Sequence, residues 1–252
     1  RRNIMGSVAN LWRHPIKGVG REELKNVTLE SGRCMPMDRN WAIAHENSKV
    51  NFQNPEWASC LNFVRAASNY ELMAISSFLN EESGLITLKH PKLNDLTINP
   101  DVDSNKLVNW LIQICNPNRS LPLRVFKTNR GITDTSAQTI SIHTNSTLED
   151  LSKSMNKPLD QRCFRGNIWL NGEAAWSEFD WIGKVIRIGT AEIEIIEPIE
   201  RCMATTLDPE TAISNADTLN TLNKVYGHQN FGVFGIVSKS GYIKINDKAE
   251  LV

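Results

Sequence analysis

A single cysteine stands between an arginine and a methionine in the segment IERCMATTLDPET, residues 199–211, where a strand-like run gives way to turn residues. Cys202 has either a packing role or a ligand role, and the choice depends on which other residues could serve it. Arg201 beside it would favour the ionised thiolate, which is the form of cysteine that binds metals. The segment therefore offers a ligand for a soft metal, provided that the fold brings further polar groups to it.

Four further polar clusters each fall at the end of a predicted strand. They are HPIKG with Lys17, MDRNW with Asp38 and Arg39, TDTS with Asp134, Thr135 and Ser136, and FRGN with Arg165 and Asn167. Taken singly, each cluster is most simply a solvated loop or a cap. Together with Cys202 they supply cations, hydroxyls, an amide and a thiol, which proteins use to hold a phosphate and a polar heterocycle beside a soft metal.

The elements that must position these clusters are mostly short strands. Alternating or β-branched runs are separated by Gly, Pro, Asn and Asp turns, which is typical of an antiparallel sheet or barrel. Strands are predicted at 5–12, 24–30, 40–45, 85–90, 96–100, 122–128, 138–143, 167–172, 184–198, 231–241 and 242–247. We therefore expect a β-rich α+β fold, with an N-terminal sheet domain over residues 1–100 and a C-terminal barrel-like domain over residues 101–252.

Three helices are expected, over residues 103–115, 146–155 and 217–227. The first carries its apolar side chains, including Ile112 and Cys115, on one face behind Asp103 or the following serine as the cap, so Cys115 should be a core residue. The second begins at Ser146 with capping-box spacing, and the third ends at Gly227.

Composition excludes several classes of protein. Lys plus Arg and Asp plus Glu both number 28, so no net charge draws the chain to nucleic acid or to an anionic membrane. The five cysteines form no CxxC pair, which indicates free thiols in a reducing compartment. No apolar run reaches the roughly 18 residues of a membrane span. We expect a cytoplasmic protein, although the chain begins without a methionine and an upstream targeting segment could have been removed.

Common catalytic and cofactor motifs do not occur in the sequence. Without GxGxxG after a strand, GxxxxGK[ST], HExxH or GxSxG, nucleotide-fold dehydrogenases, P-loop enzymes, zincins and serine hydrolases have no sequence support. His14 and His143 fit strand-end or loop residues better than zinc ligands. Iron–sulfur spacing and a flavin fingerprint are also missing, so a reductase would need a separate electron donor, such as a small ferredoxin or a cytochrome with its reductase.

Four motifs, in this order, resemble those of the MOSC proteins, named for the C-terminal domain of molybdenum cofactor sulfurase. The motifs are HPIKG, DRNWAIA, FRGNIWLNG and RCMATTLDPET. The likeness covers nearly the whole chain and is closest to the stand-alone branch that contains the mitochondrial amidoxime-reducing component. It implies an N-terminal MOSC-associated β domain packed on a C-terminal MOSC β-barrel with a few short helices.

The resemblance also implies a molybdenum–molybdopterin cofactor (Mo-MPT) with Cys202 as the molybdenum ligand. The residues it assigns to the cofactor are Lys17, Gly18 and Arg39 around the phosphate, Thr135, Ser136, Arg165 and Asn167 around the pterin, and Arg201 beside the ligand. It places Asp134 near the metal. Cations for a phosphate, fixed donors for a pterin and a thiolate for molybdenum agree with the groups counted above.

The chain departs from its reductase relatives at two positions. Glu200 stands where they carry a small hydroxyl residue, two before the metal cysteine, and puts a carboxylate in the catalytic region, where it could alter or block substrate choice. Gly18 stands where they carry serine, and its backbone amide could replace the lost hydroxyl. Cys163 is extra beside FRGN, and we interpret it as a packing thiol.

Two functions follow from the resemblance. In the first, the protein is an enzyme that reduces N-hydroxylated or N-oxide small molecules, with electrons from a separate donor. In the second, it is a carrier that binds the cofactor or its sulfur without turnover. The enzyme is favoured because the chain carries both MOSC-type domains and no fused sulfurase partner.

Overall fold

The computed structural model describes residues 4–252, and within this range it contains fifteen strands and three α-helices. The strands are β1 (Ile4–Arg13), β2 (Glu22–Leu24), β3 (Asn26–Leu29), β4 (Trp41–His45), β5 (Ser76–Asn80), β6 (Leu85–His90), β7 (Leu93–Ile98), β8 (Pro122–Lys127), β9 (Ile140–Thr144), β10 (Ile168–Asn171), β11 (Val185–Ile188), β12 (Ala191–Glu200), β13 (Asn230–Lys239), β14 (Gly241–Lys244) and β15 (Lys248–Leu251). The helices are α1 (Ser104–Ile112), α2 (Asn145–Ser154) and α3 (Thr218–Thr221). The β-rich fold expected from the sequence is confirmed.

Seven of these strands close into a barrel. Around it the order is β10, β9, β13, β12, β11, β15 and β1, and β1 pairs back onto β10. The β9–β10 contact is parallel and the others are antiparallel, while β2 extends the sheet beyond β1. Because side chains alternate along a strand, every second residue can fill the barrel. The interior residues include Val8, Leu11, Ile140, Ile142, Ile168, Leu170, Ile186, Ile193, Ile195 and Val233.

Three smaller sheets pack beside the barrel: β3 with β14, β4 with β8, and the meander β5-β6-β7. A second core joins Ile86 of the meander and Leu111 of α1 to Trp169 and Phe231, which face outward from the barrel wall. Because β1 is a barrel strand and β4 pairs with β8, segments from both sides of residue 100 share sheets. The division at residue 100 stays a prediction.

Helix α2 begins earlier than the capping box predicts. Thr144 is its N-cap, and Thr144 Oγ1 accepts a hydrogen bond from the backbone N–H of Thr147 at 3.3 Å. Thr144 also ends β9, so it already has the extended backbone that an N-cap requires, and Ser146 lies inside the helix. Helix α3 continues as a π-helical turn and ends at Gly227, with φ 78°, as predicted.

The buried face of α1 is the predicted one except at Ile112, which is 39% exposed. Leu107, Val108 and Leu111 are buried on it, and Cys115, just beyond the helix, is buried as expected. Trp110 is buried as well, and its Nε1 donates to the carbonyl of Asn94 at 2.8 Å. A tryptophan that finds an acceptor therefore extends the buried face beyond the apolar residues that the spacing marks.

The long run predicted as a strand at 184–198 is two strands, β11 and β12, joined at Gly189. This glycine has φ 57°, and a Cβ there would lie 2.4 Å from the carbonyl oxygen of Tyr242. The turn therefore needs glycine, and β12 runs on to Glu200. Strand β5 was not predicted, because SSFLN lacks a clear alternation of apolar and polar residues.

Candidate functional site

A cavity of about 460 Å³ lies on the outer face of the barrel, where loops meet β9, β12 and β13. Ser141, Glu197 and Phe234 from these strands form part of its wall, whereas their neighbours Ile142 and Val233 belong to the barrel core. Nine of the eleven residues predicted for the site line this cavity. They are Lys17, Gly18, Arg39, Asp134, Thr135, Arg165, Glu200, Arg201 and Cys202. Five segments that are far apart in sequence therefore meet at one place.

Three cations lie together on the cavity wall, and we call Lys17, Arg39 and Arg165, with the buried Asp38, the cation network. Arg39 forms a short ion pair with Asp38, and its Nη2 donates to the carbonyl of Arg165 at 3.2 Å. Lys17 Nζ lies 2.5 Å from Asp134 Oδ1. Lys17 and Arg39 are themselves buried, so these charges are fixed by the fold.

The cations set the charge of both carboxyl groups nearby. Desolvation raises the pKa of Asp38, but Arg39 and the hydrogen bonds from His14 outweigh it and hold that pKa well below its ordinary value. Desolvation also raises the pKa of Asp134, and Lys17 and Arg39 again reverse the shift, to well below the ordinary value. Both carboxylates are therefore ionised at neutral pH.

Arg165 is the least compensated cation of the network. It adopts a left-handed backbone conformation with φ 50°, and its Nη1 donates to the carbonyl of Gly20 at 3.0 Å. Its Nη2 is buried and has no hydrogen-bond partner within residues 4–252. Burial, followed by the charges of Arg39 and Arg21, lowers the pKa of Arg165 to about 9. A buried guanidinium nitrogen without an acceptor, on a cavity wall, is suited to an anionic ligand.

Cys202 is the exposed thiol of the cavity. It follows β12 directly, and its carbonyl accepts the backbone N–H of Thr205 at 3.1 Å in the turn that follows. Cys163, by contrast, is buried, and its Sγ donates to the carbonyl of Asp160 at 2.9 Å. Burial, with the charge of Asp160, raises the pKa of Cys163 to about 12, so this thiol stays protonated. Cys202 is the better placed of the two to bind a metal.

Arg201 is held by protein acceptors. Its Nε donates to the carbonyl of Phe231 at 2.8 Å, its Nη1 to the carbonyl of Phe164 at 3.0 Å, and its Nη2 contacts the ring of His143. Burial, followed by the charge of Arg201, keeps the pKa of His143 well below its ordinary value, so a neutral imidazole can accept from the guanidinium. Arg201 therefore fixes the backbone just before Cys202, and its role as a cofactor ligand stays a prediction.

Gly18 packs closely against the chain at Val64. With φ 73°, a Cβ at position 18 would lie 2.7 Å from the carbonyl oxygen of Val64, so the serine that the resemblance expects would not fit here. The same segment puts Arg65 and Cys60 on the cavity wall, where Arg65 Nη1 donates to Cys60 Sγ at 3.2 Å. No motif in the sequence marks these two residues, and both were missed.

Ser136 and Asn167 do not line the cavity. Ser136 is exposed, and its carbonyl accepts a hydrogen bond from Arg130. Asn167 is buried: its Oδ1 accepts the backbone N–H of Ser141 at 3.1 Å, and its Nδ2 donates to the carbonyl of Trp12 at 3.2 Å. Asn167 therefore joins three barrel strands at their ends, and pterin contacts for both residues stay predictions.

The family comparisons cover both parts of this architecture. The family model described as MOSC domain matches residues 129–250, and the one described as MOSC N-terminal beta barrel domain matches residues 5–116. The chain belongs to the MOSC family. Within this MOSC protein the cavity is shared, because Lys17 comes from the N-terminal match while Arg165 and Cys202 come from the MOSC domain.

Several relatives of this MOSC protein are named for amidoxime reduction. Mitochondrial amidoxime-reducing component 1 of Mus musculus is 23% identical, over 98% of this chain and 83% of that protein. Mitochondrial amidoxime reducing component 2 of Homo sapiens is 24% identical, over 96% of this chain and 82% of that protein. Among solved structures, the YUAD protein from Bacillus subtilis overlaps with a TM-score of 0.44 at 11% identity, covering 98% and 94% of the two chains.

Two negative findings apply to residues 4–252. No three His, Cys, Asp or Glu side chains in this range are grouped so that they could hold a metal ion. Each helix in the same range is too short or too polar to cross a membrane.

Proposed function

We propose that this MOSC protein reduces N-hydroxylated small molecules with a molybdenum–molybdopterin cofactor, and that Cys202 is the protein ligand of the molybdenum. The observation that carries the proposal is one cavity that contains both an exposed thiol and a buried cation network with an unpaired guanidinium nitrogen on Arg165. The names of the amidoxime-reducing relatives support the class of reaction.

The residues present fit such a cofactor. Arg165 Nη2 lacks an acceptor, and a phosphate oxygen would supply one on the wall that also carries Lys17. Cys202 offers a soft thiolate, the ligand type that suits a soft metal. The hydroxyl of Thr135, on the same wall, offers a donor or acceptor to the polar edge of a pterin.

Each group in the cavity then has a separate role. When bound, the cofactor would supply the two electrons that reduce the N–O bond to N–H and water. Lys17, Arg39 and Arg165 would hold its phosphate. Asp134 is ionised at neutral pH, so it would keep Lys17 in position rather than donate a proton. The two protons would come from water, because Cys202 leaves this end of the cavity open to solvent.

The electrons would come from a separate protein. The chain has no iron–sulfur spacing and no flavin fingerprint, which supports a ferredoxin or a cytochrome with its reductase as the donor. We keep the cytoplasm as the proposed compartment; the relatives carry the word mitochondrial in their names.

Metal analysis followed by a turnover assay tests the proposal. Protein from a host that makes the cofactor should contain molybdenum and should reduce benzamidoxime with an artificial electron donor. Molybdenum without turnover would instead favour the carrier that binds the cofactor or its sulfur. Protein with neither would rule the proposal out.

A further inference from the structure

The C-terminal part of β12 presents two carboxylates, those of Glu197 and Glu200, to the cavity. We call these two residues, together with the following Cys202, the β12 end. Up to Ile195, odd-numbered residues of this strand face the barrel core and even-numbered ones face outward. Register shifts against β13 lie between Ile195 and Glu197 and between Pro198 and Glu200. Such bulges change the direction in which side chains point. Glu197 is therefore exposed on the cavity wall, although the odd-numbered residues before it face the barrel core.

Neither carboxylate has a counter-ion. Within residues 4–252, Glu197 and Glu200 have no salt bridge and no side-chain hydrogen bond, whereas Asp134 in the same cavity is paired with Lys17. Lys17 and Arg39 are buried and paired with Asp134 and Asp38, and Arg39 donates to the carbonyl of Arg165. In one region of the cavity Lys17 and Arg39 are paired with carboxylates, and in another, which adjoins Cys202 in the chain, the carboxylates of Glu197 and Glu200 are unpaired within residues 4–252.

We infer that Glu197 and Glu200 select N-hydroxylated substrates that carry a positive charge. The inference rests on the proposed function, because it assigns the substrate class of that same site. Within residues 4–252 no salt bridge neutralises these two carboxylates on the cavity wall, so they would attract a cation that enters the cavity near Cys202 even in a solvated site. Since both groups are exposed, each should favour the cation by only about two- to fivefold in KM.

The first experiment compares two substrates that differ only in charge. One is benzamidoxime with a para trimethylammoniomethyl group, and the other carries the isosteric para neopentyl group. For Glu200→Gln and for Glu197→Gln, the ratio of KM for the cationic substrate to KM for the neutral substrate should rise about two- to fivefold. Glu194→Gln is the matched control, because Glu194 is exposed on the same strand but does not line the cavity.

The second experiment needs no turnover. In full-length protein made without the cofactor, Cys202 can be labelled by a cationic or an anionic methanethiosulfonate and followed by peptide mass spectrometry, which separates it from Cys60. The ratio of cationic to anionic labelling rates should fall severalfold in Glu200→Gln and Glu197→Gln and stay constant in Glu194→Gln.

The two experiments separate the inference from the proposed function. If benzamidoxime is reduced but neither the KM ratio nor the labelling ratio responds to the two glutamine variants, the charge selection is wrong and the reductase stands. If the labelling ratio falls but no N-hydroxylated compound is reduced, the preference for cations stands and the proposed reaction is wrong.

Discussion

The cation network and the β12 end lie in one cavity but are built in opposite ways. Lys17 and Arg39 are buried and bonded to protein acceptors, whereas Glu200 and Cys202 are exposed and their side chains have no such bonds to residues 4–252. Buried and bonded charges contribute to the stability of the fold, because the removal of one leaves its buried partner without a compensating charge. Exposed charges without such bonds can change without cost to the fold. The cation network, which would hold the phosphate of the cofactor, is therefore constrained by the fold, while Glu197 and Glu200, which would meet the substrate, can be replaced without loss of stability.

The largest effect is expected at the β12 end, from Cys202→Ser. A hydroxyl is a hard and poorly ionised ligand, so molybdenum should be lost or its spectrum should change, and turnover should disappear. Stability should change little, because Cys202 is exposed.

Cys163→Ser is the matched variant. A serine hydroxyl can still donate to the carbonyl of Asp160, so the loss of stability should stay within about 1 kcal/mol and molybdenum should remain bound. Molybdenum content and benzamidoxime reduction in the two variants give the answer. Activity that survives in Cys202→Ser but not in Cys163→Ser would reverse the assignment.

Arg39→Ala should break the cation network and destabilise the protein itself. Asp38 is 1% exposed and would lose its ion-pair partner, so the free energy of unfolding should fall by about 3–5 kcal/mol. Lys17→Met should cost no more than about 1 kcal/mol, because its partner Asp134 is 52% exposed. Urea unfolding of both cofactor-free variants would measure the difference, and equal losses would mean that the network is not a structural unit.

Arg165→Met should separate cofactor binding from stability. A phosphate contact of this kind contributes about 1.5–3 kcal/mol, so the affinity for the cofactor should fall by at least about tenfold and the molybdenum content should fall with it. The cofactor-free variant should be as stable as the wild type or slightly more so, because an undercompensated buried cation is removed. Arg119→Met, on the exposed surface away from the cavity, should change neither quantity. Unfolding of the Arg165 variant without its cofactor would contradict this view of the network.

The last effect concerns the dependence of stability on pH. Burial, followed by the charge of Arg165, lowers the pKa of His14 to about 3 from 6.5. The unfolded chain then binds a proton that the folded chain does not, so stability is full above pH 6.5 and falls as the pH drops toward 3. Each such group contributes up to about 1.4 kcal/mol per pH unit. In His14→Gln the slope between pH 6 and pH 4 should decrease by about that amount, measured by urea unfolding, and an unchanged slope would show that His14 is not responsible.

The sequence could supply the chemistry of the site but not all of its geometry. Lys17, Arg39 and Cys202 lie in short motifs at strand ends, and such motifs can be recognised from the local sequence. Glu197 has no such signal, because its place on the cavity wall depends on a register shift between two strands. Arg65 also escaped prediction, because it reaches the cavity only through the close contact between Gly18 and Val64.

Residue type alone also leaves two polar roles undecided. An asparagine beside a strand can face a ligand or tie strands together, and Asn167 does the second through Ser141 and Trp12. A cation before a strand can be free or paired, and Arg39 is paired with Asp38, the residue before it. In both cases the partner is set by tertiary packing, which local pattern does not report.

Strand β1 has a consequence for the order in which the protein can assemble. It is one of the seven strands of the barrel. It pairs with β10 on one side and, on the other, with β15, which is the last strand described. The barrel therefore cannot close on the ribosome until β15 has emerged, and until then β11 and β1, which flank β15, each expose an unpaired edge. Loop closure over nearly the whole chain is slow, so we expect a nascent chain that depends on chaperones late in synthesis rather than early.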